Sequence, residues 1–318
     1  MIPFKISVII PVYKAEKFIA RCAESLFSQS LDGVEFIFVD DYTPDNSIEI
    51  LKSVAVKYEK FNNRIKIVRM SVNSKQAAAR NEGLKHATGE YVIHCDPDDW
   101  VDVALYEQMY TAAKEHDYDI VTCGYIEHLA NGKTVISSPL TFEKPFDPIL
   151  SDRFFFPALW RHLIKRQLII ENDITFYPEV NFMEDFGFVC RALYHAKSVG
   201  HVHSSFYHYN KTNDNSITTR INSPSVVKQR IECLNRLDAF FERLGISKSV
   251  LGLLLRSKRD IKDLFLNKSD LKKWRTLFPE VARWEFHYSQ ASFAYRLAYL
   301  LSHHIGLWPM RLLLALKK

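Results

Sequence analysis

No run of about 18 uninterrupted apolar residues occurs in this 318-residue chain, so no membrane-spanning helix is expected. The start of the chain has no basic segment leading into an apolar core, so no secretory signal is expected. Cysteine is sparse and odd in number: Cys22, Cys95, Cys123, Cys190 and Cys233 lie far apart. Their spacing makes neither a zinc site nor a disulfide framework, and buried reduced thiols in a cytoplasmic protein are expected. Internal repeats and low-complexity tracts are absent.

What is present is an ordinary globular composition, 47% hydrophobic and 25% charged, with room for one large domain or a medium one and an appendage. The net charge of +5 is unevenly spread. Residues 1–219 hold 23 Lys/Arg against 29 Asp/Glu, and residues 220–318 hold 19 against 8. An acidic front joined to a basic rear points to two jobs.

Short apolar runs alternate with segments of helical spacing. Strands are expected over Ile6–Pro11, Glu35–Val39, Ile65–Val68, Tyr91–Cys95 and Ile120–Cys123. Helices are expected over Glu16–Phe27, Ser47–Tyr58, Gln76–His86, Ala104–Glu115 and Phe186–His195. This pattern predicts an α/β fold with a Rossmann-like, doubly wound, mostly parallel sheet. Gly and Pro thicken from Gly124 to Pro148, a departure from the alternation. Beyond Ser223 the pattern is helical, with Val226–Leu244, Val250–Leu266 and Phe293–Leu301. The expected division is a sheet domain over 1–216 and a basic helical region over 217–318.

In such sheets, ligands bind beyond the carboxyl ends of the strands. Asp40-Asp41 and Asp96-Pro97-Asp98-Asp99 both stand at strand ends. Acids this close repel one another unless a cation sits among them, and hard cations such as Mg²⁺ or Mn²⁺ take carboxylate oxygens together with substrate phosphates. A solvated acidic turn before the helix at Ala104 is the alternative.

The motifs fall in one order: Ser7-Val8-Ile9-Ile10-Pro11-Val12-Tyr13, Phe36–Asp41, Ala78-Ala79-Arg80-Asn81-Glu82-Gly83, Thr88-Gly89-Glu90-Tyr91, Asp96–Asp99 and Met183-Glu184-Asp185. In this order and spacing, over about residues 4–216, the chain resembles the inverting family 2 glycosyltransferases of GT-A fold. That resemblance implies a nucleotide-sugar donor, usually a UDP-sugar, Mn²⁺ or Mg²⁺, and a saccharide or lipid-linked acceptor. It implies that Pro11 and Tyr13 line the base, Asp41 hydrogen-bonds it, Arg80 lies near the uracil or phosphates and Asp96 touches the ribose. Asp98 becomes the metal ligand, and Asp99 either a second ligand or a brace for the turn. Asp185 becomes the general base and Glu184 an acceptor contact, where helix-start acids are the bland alternative. Tyr207–Lys211 and Asn215–Thr218 resemble a closing segment, with Lys211 reaching the diphosphate and His208 approaching the metal. Asp41 can equally cap the helix Ser47–Tyr58.

Two departures stand out. Lys14 replaces a usual asparagine, and Tyr42-Thr43-Pro44 replaces Gly-Ser-Thr, which adds bulk beside the nucleotide pocket. The run Arg256-Ser257-Lys258-Arg259 reads as a solvated helix face rather than a nucleic-acid site. Phe293–Lys318 mixes aromatic and leucine residues with Arg296, Arg311, Lys317 and Lys318. It fits either a packed terminal helix or peripheral contact with the inner face of the membrane. Two other functions compete: a non-catalytic nucleotide-sugar-binding protein, and a nucleotidyltransferase. The second is disfavoured because Val12-Tyr13-Lys14-Ala15-Glu16 has no glycine for a phosphate loop.

Overall fold

The structure, a computed structural model, describes residues 4–138, 141–151, 157–213, 221–267, 269–289 and 291–316. The chain divides into two compact units, Met1–Phe146 with Phe156–Thr219, and Asp147–Phe155 with Arg220–Lys318. The expected boundary at 216/217 and the segment Asn215–Thr218 lie outside the described residues.

The first unit begins with regular alternation: β1 (Ile6–Val12), α1 (Ile19–Phe27), β2 (Val34–Asp40), α2 (Ser47–Ala55), β3 (Ile65–Arg69), α3 (Lys75–His86) and β4 (Tyr91–His94). Then come β5 (Trp100–Val101), α4 (Leu105–His116), β6 (Ile120–Leu129) and β7 (Thr134–Ser137). After α5 (Asp147–Leu150), which belongs to the second unit, follow β8 (His162–Lys165), α6 (Arg166–Glu171), α7 (Glu184–His195) and β9 (Val199–Lys211). Two helices are shorter than their periodicity suggests: α1 begins at Ile19 and α2 ends at Ala55.

Among the described residues these strands form one sheet in the order β3-β2-β1-β4-β8-β6-β9-β5, with β7 on β6. The β3-β2-β1-β4 block is parallel, and every residue of β1, β2 and β4 is buried, as expected for strands covered on both faces. β8 enters antiparallel between β4 and β6, and β6 pairs β9 in parallel again. The Gly/Pro-rich departure after Gly124 contains the β6–β7 hairpin, which turns at Gly132 with φ 78°.

Packing fixes this sheet tightly. α1 buries Ile19, Cys22, Ala23, Leu26 and Phe27, and the Phe27 ring meets Phe36 edge-on at 5.4 Å. A Cβ at Gly89 would lie 2.5 Å from the Ser7 backbone nitrogen, so only glycine fits there. The buried Glu35 accepts from Ser7 Oγ (2.6 Å), Lys66 Nζ (2.7 Å) and the Thr88 amide (2.7 Å), tying β1, β2, β3 and the entry to β4 together. These bonds outweigh burial and hold the Glu35 carboxyl below its usual range.

The second unit is helical: with α5 it comprises α8 (Pro224–Arg243), α9 (Gly252–Asp263), α10 (Leu271–Thr276), α11 (Val281–Tyr288), α12 (Phe293–His304) and α13 (Trp308–Leu316). Pro224 at the first position of α8 suits its fixed φ and missing N–H. The expectation that Arg256–Arg259 is a solvated face is corrected at Lys258, which is fully buried. Its ammonium donates to both oxygens of Asp238 at 2.7 Å and to Glu280 Oε1 at 2.7 Å, which satisfies the buried charge. Lys262 donates to the carbonyls of Trp274 and Leu277, and burial pushes its ammonium down to about 7. Among the described residues no helix is long and apolar enough to cross a membrane.

Candidate active site

Because β1, β2 and β4 are parallel neighbours, their carboxyl ends share one edge. That edge carries Pro11 near the end of β1 and Tyr13 just after it, Asp40-Asp41 at the end of β2 and Asp96–Asp99 after β4. Pro11 is buried in the β1–β2 ladder opposite Val39, while Tyr13 is 41% exposed with Lys14 Nζ 5.5 Å from its ring centroid. Tyr42 is 51% exposed, with Arg69 at 5.5 Å from its ring. Lys14 and Tyr42 have φ of 51° and 55°, the left-handed region in which asparagine and glycine are at ease. The two sequence departures therefore sit at the two positions where the backbone favours the usual residues.

Asp41 is buried, and its carboxylate accepts from the Ser74 amide (2.7 Å) and the Lys75 amide (2.9 Å). It thus caps α3, not the helix at Ser47, and burial raises its carboxyl above the usual range. At Ser47 the neighbouring acid is Asp45, which accepts from the Ser47 hydroxyl at 2.5 Å. Each Asp41 oxygen keeps a lone pair beyond its backbone partner.

The centre of the site is Arg80 on α3, which is 4% exposed. Its Nη2 donates to Asp96 Oδ1 at 2.7 Å, and its Nε stands 3.7 Å from Glu184 Oε1. Its Nη1 lies 3.3 Å from His94 Nδ1, and burial with the Arg80 charge drives that imidazole well below its usual range, so it is neutral and can accept. Arg80 thus joins the acids after β4 to the acids that open α7.

Glu184 and Asp185 do not precede α7 but form its first turn. The cap residue Met183 has φ 66°, a strained conformation for methionine. Side chains of α3 fix the approach: Gln76 Nε2 donates to Asn181 O (2.8 Å), Asn181 Oδ1 accepts from the Ala77 amide (3.1 Å), and Asn81 pairs with both backbone groups of Phe176. Glu184 is buried, and Asp185 Oδ1 accepts from the Phe186 amide at 2.7 Å. Burial and the charge of Asp185 push Glu184 up to about 8 against the pull of Arg80. Burial pushes Asp185 up to about 6 against the Phe186 amide and Arg80.

The three acids after β4 differ sharply. Asp99 is fully buried, and its oxygens accept from Tyr207 Oη (2.6 Å) and the Asn210 amide (2.7 Å). Asp98 is partly exposed; Oδ2 accepts from Asn213 Nδ2 at 2.8 Å, and its carbonyl accepts from Asn210 Nδ2 at 3.1 Å. Burial and neighbouring Asp96 raise the Asp98 carboxyl against the opposing pull of Asn213 and Arg21. No group of three or more His, Cys, Asp or Glu able to hold a metal occurs among the described residues. Asp96 and Asp98 supply carboxylate oxygens of the kind a hard divalent cation accepts.

Lys211 and His208 lie apart from these acids in their bonding. Lys211 Nζ pairs with Glu127 Oε2 at 3.0 Å. His208 is held by Asp102 (3.0 Å) and His128 (2.9 Å) and stacks on Trp100 at 5.0 Å. Sequence reasoning placed Tyr207 and Asn210 in the closing segment without a role of their own and gave His94 none. The polar Asn210 at the end of an aromatic strand was the available signal; buried His94 gave none.

The model of the family described as "Glycosyl transferase family 2" matches residues 7–169. The glycosyltransferase EpsJ of Bacillus subtilis, itself uncharacterised, is 30% identical over 255 residues, covering 78% of this chain and 72% of EpsJ. The cholesterol galactosyltransferase of Borreliella burgdorferi is 32% identical over 76% of this chain and 69% of its own length. A poly(ribitol-phosphate) beta-glucosyltransferase of Bacillus spizizenii is 33% identical over 64% of this chain, which spans only 32% of that relative. Among solved structures, S. aureus TarS in complex with UDP aligns with TM-score 0.68 and 21% identity over 95% of this chain and 89% of that one. The chain is a glycosyl-transferring enzyme of α/β, GT-A fold. It belongs to glycosyltransferase family 2.

Proposed function

We propose that this enzyme moves a sugar from a nucleotide-sugar, a UDP-sugar in the first instance, to a hydroxyl of a saccharide or lipid-linked acceptor, with inversion. The observation that carries the reading is the Arg80 bridge, which brings Asp96 at the strand end within 2.7 Å and Glu184 at the start of α7 within 3.7 Å of one guanidinium. A donor-side acid and an acid pair suited to proton transfer thus meet across one buried cation. TarS binds UDP and UDP-GlcNAc, and a Pyrobaculum calidifontis mannosyltransferase of related fold (TM-score 0.53) binds GDP-Man and Mn²⁺, which supports the donor class.

Tyr13 stacks on the base beside Asp41, whose remaining lone pairs accept its imide N–H, and Pro11 stiffens the floor. Asp96 contacts the ribose and, through Arg80, fixes the acid pair. Asp98 would hold a Mn²⁺ or Mg²⁺, which when bound would offset negative charge on the departing diphosphate. Asp99 is the brace of this turn, since both its oxygens serve Tyr207 and Asn210. Lys211 reaches the diphosphate only by leaving Glu127.

Near neutral pH the acid pair divides its labour. Burial raises both carboxyls above their usual range, and the charge of Asp185 raises Glu184 further. Asp185 takes the acceptor's hydroxyl proton. The acceptor oxygen bonds the anomeric carbon from the face opposite the breaking bond, and the nucleoside diphosphate leaves with that electron pair. Neutral Glu184 donates a hydrogen bond to the acceptor sugar.

A surface polysaccharide or glycolipid is the product class we favour, because the matched relatives act on poly(ribitol-phosphate) and cholesterol. The C-terminal helices make peripheral contact with the inner face of the membrane, where a lipid-linked acceptor lies. A thermal-shift panel of nucleotide-sugars with and without Mn²⁺ tests the donor assignment. Stabilisation by UDP-sugars that requires metal supports it; equal stabilisation by UDP-sugars without metal removes Asp98 from the scheme.

A further inference from the structure

We propose that the cleft between α11 and α12 seats the phosphate headgroup of an anionic lipid while the α12–α13 turn enters the bilayer interface. This rests on the peripheral-contact reading and is independent of the transfer chemistry.

The cleft has a volume of about 510 Å³, and Ala282, Phe286 and Leu300 contribute its apolar lining. Arg283, His287 and His304, all exposed, also line it, and no Asp or Glu does. Arg283 makes no ion pair among the described residues. His303 completes the wall, and its Nε2 is buried without a hydrogen-bond partner. Burial, helped by Lys262 and Arg275, pushes this imidazole down to about 3, so it adds no charge to the wall. A phosphate ester carrying apolar chains satisfies the free cation and the apolar lining together.

The adjoining hairpin has two characters. Ala298, Tyr299, Ser302 and Met310 are buried, and the Met310 amide donates to Ser302 Oγ at 3.0 Å. By contrast Ile305, Trp308 and Leu312 are 57%, 58% and 55% exposed. Trp308 and Leu312 stand four residues apart on α13, hence on one face, and Arg311 beside them is exposed. Ile305 directly follows His304 of the cleft. From Phe286 to the end of the sequence there is no acidic residue, while Arg296, Arg311, Lys317 and Lys318 are all basic. Exposed aliphatic and indole groups on a stretch of sequence whose only charges are positive match an anionic leaflet, not a zwitterionic one.

Co-sedimentation of the full chain with phosphatidylcholine vesicles, with and without phosphatidylglycerol, tests this. The protein is expected to pellet with the phosphatidylglycerol mixture and to bind pure phosphatidylcholine far less. Arg283→Ala is expected to cost about fivefold in partitioning, the effect of one cation at such a surface, and Arg283→Glu more. Lys272→Ala, at an exposed lysine outside the cleft, is expected to cost less. Trp308→Ser with Leu312→Ser removes binding while circular dichroism stays unchanged. Binding that survives Arg283→Glu but falls with the Trp308 and Leu312 changes overturns the cleft and leaves the interface contact standing. Displacement from vesicles by glycerol phosphate points to a soluble phosphate ligand and overturns the lipid assignment. No binding to either vesicle overturns both.

Discussion

Tyr207 donates its hydroxyl to Asp99 at 2.6 Å, and the same oxygen accepts from the Asp96 amide at 3.1 Å. One phenol on β9 thus holds both ends of the acidic turn after β4. Tyr207→Phe leaves a buried carboxyl and a backbone amide short of a partner, which costs about 1–3 kcal/mol. Urea unfolding should show that loss, and isothermal titration should show weaker donor binding because the turn carrying Asp98 loosens. Unchanged donor affinity in the variant would detach Asp99 from the metal-holding turn.

Tyr42 pays for its side chain with a φ of 55°. Tyr42→Gly relieves a left-handed conformation that costs about 1–2 kcal/mol in other residues, offset by about 0.5–1 kcal/mol of glycine's unfolded-state entropy. A small rise in melting temperature is expected, together with altered donor affinity, since the exposed ring stands next to Asp41 in sequence. A lower melting temperature would mean that the ring's contact with Arg69 outweighs the strain.

Gly89→Ala is expected to destabilise by about 1–3 kcal/mol, as overpacking does. The added methyl would meet the Ser7 nitrogen at 2.5 Å and the Ile6 carbonyl carbon at 2.7 Å, and backbone cannot step aside as a side chain can. Chemical denaturation of the variant measures it.

Much of this fold is legible in the sequence because β1, β2 and β4 are mostly apolar and α1, α2 and α4 keep helical spacing. The four-residue β8 carries no such pattern: His162 and Lys165 frame only Leu163 and Ile164, and its antiparallel place between β4 and β6 is a long-range choice. The same limit applies to the site. Strand-end acids are visible as residue types, but which acid faces a partner is not. Asp41 caps α3 rather than α2 because Ser74 and Lys75 return to it from 33 and 34 residues away. Lys258 reads as a surface cation until Asp238 and Glu280, from other parts of the chain, close around it. The Arg80 bridge joins residues 16 and 104 positions distant, beyond any local pattern.

Glu184 links activity to stability. Its carboxyl, raised to about 8, lies above the unfolded value of about 4.3, so the folded state holds the proton more tightly. The stability from that protonation is complete below the unfolded value and is lost as pH rises through about 8. Glu184→Gln, which mimics the protonated form, is expected to raise the melting temperature relative to the native protein at alkaline pH. The gain should vanish near pH 4, the unfolded range. Scanning calorimetry across pH measures the difference; a deficit at alkaline pH would mean that the ion pair with Arg80 governs instead.

The base assignment is tested most directly by Asp185→Asn, followed as single-turnover transfer from a bound UDP-sugar alongside donor affinity. With the carboxylate present, transfer should fall as pH drops through about 6, where Asp185 takes up its proton. The variant should bind donor with native affinity and lose transfer by about 10²–10⁴-fold, the usual worth of a positioned base. Transfer at the native rate, with the same dependence near pH 6, would contradict Asp185 as the base and with it the role given to the acid pair at the start of α7.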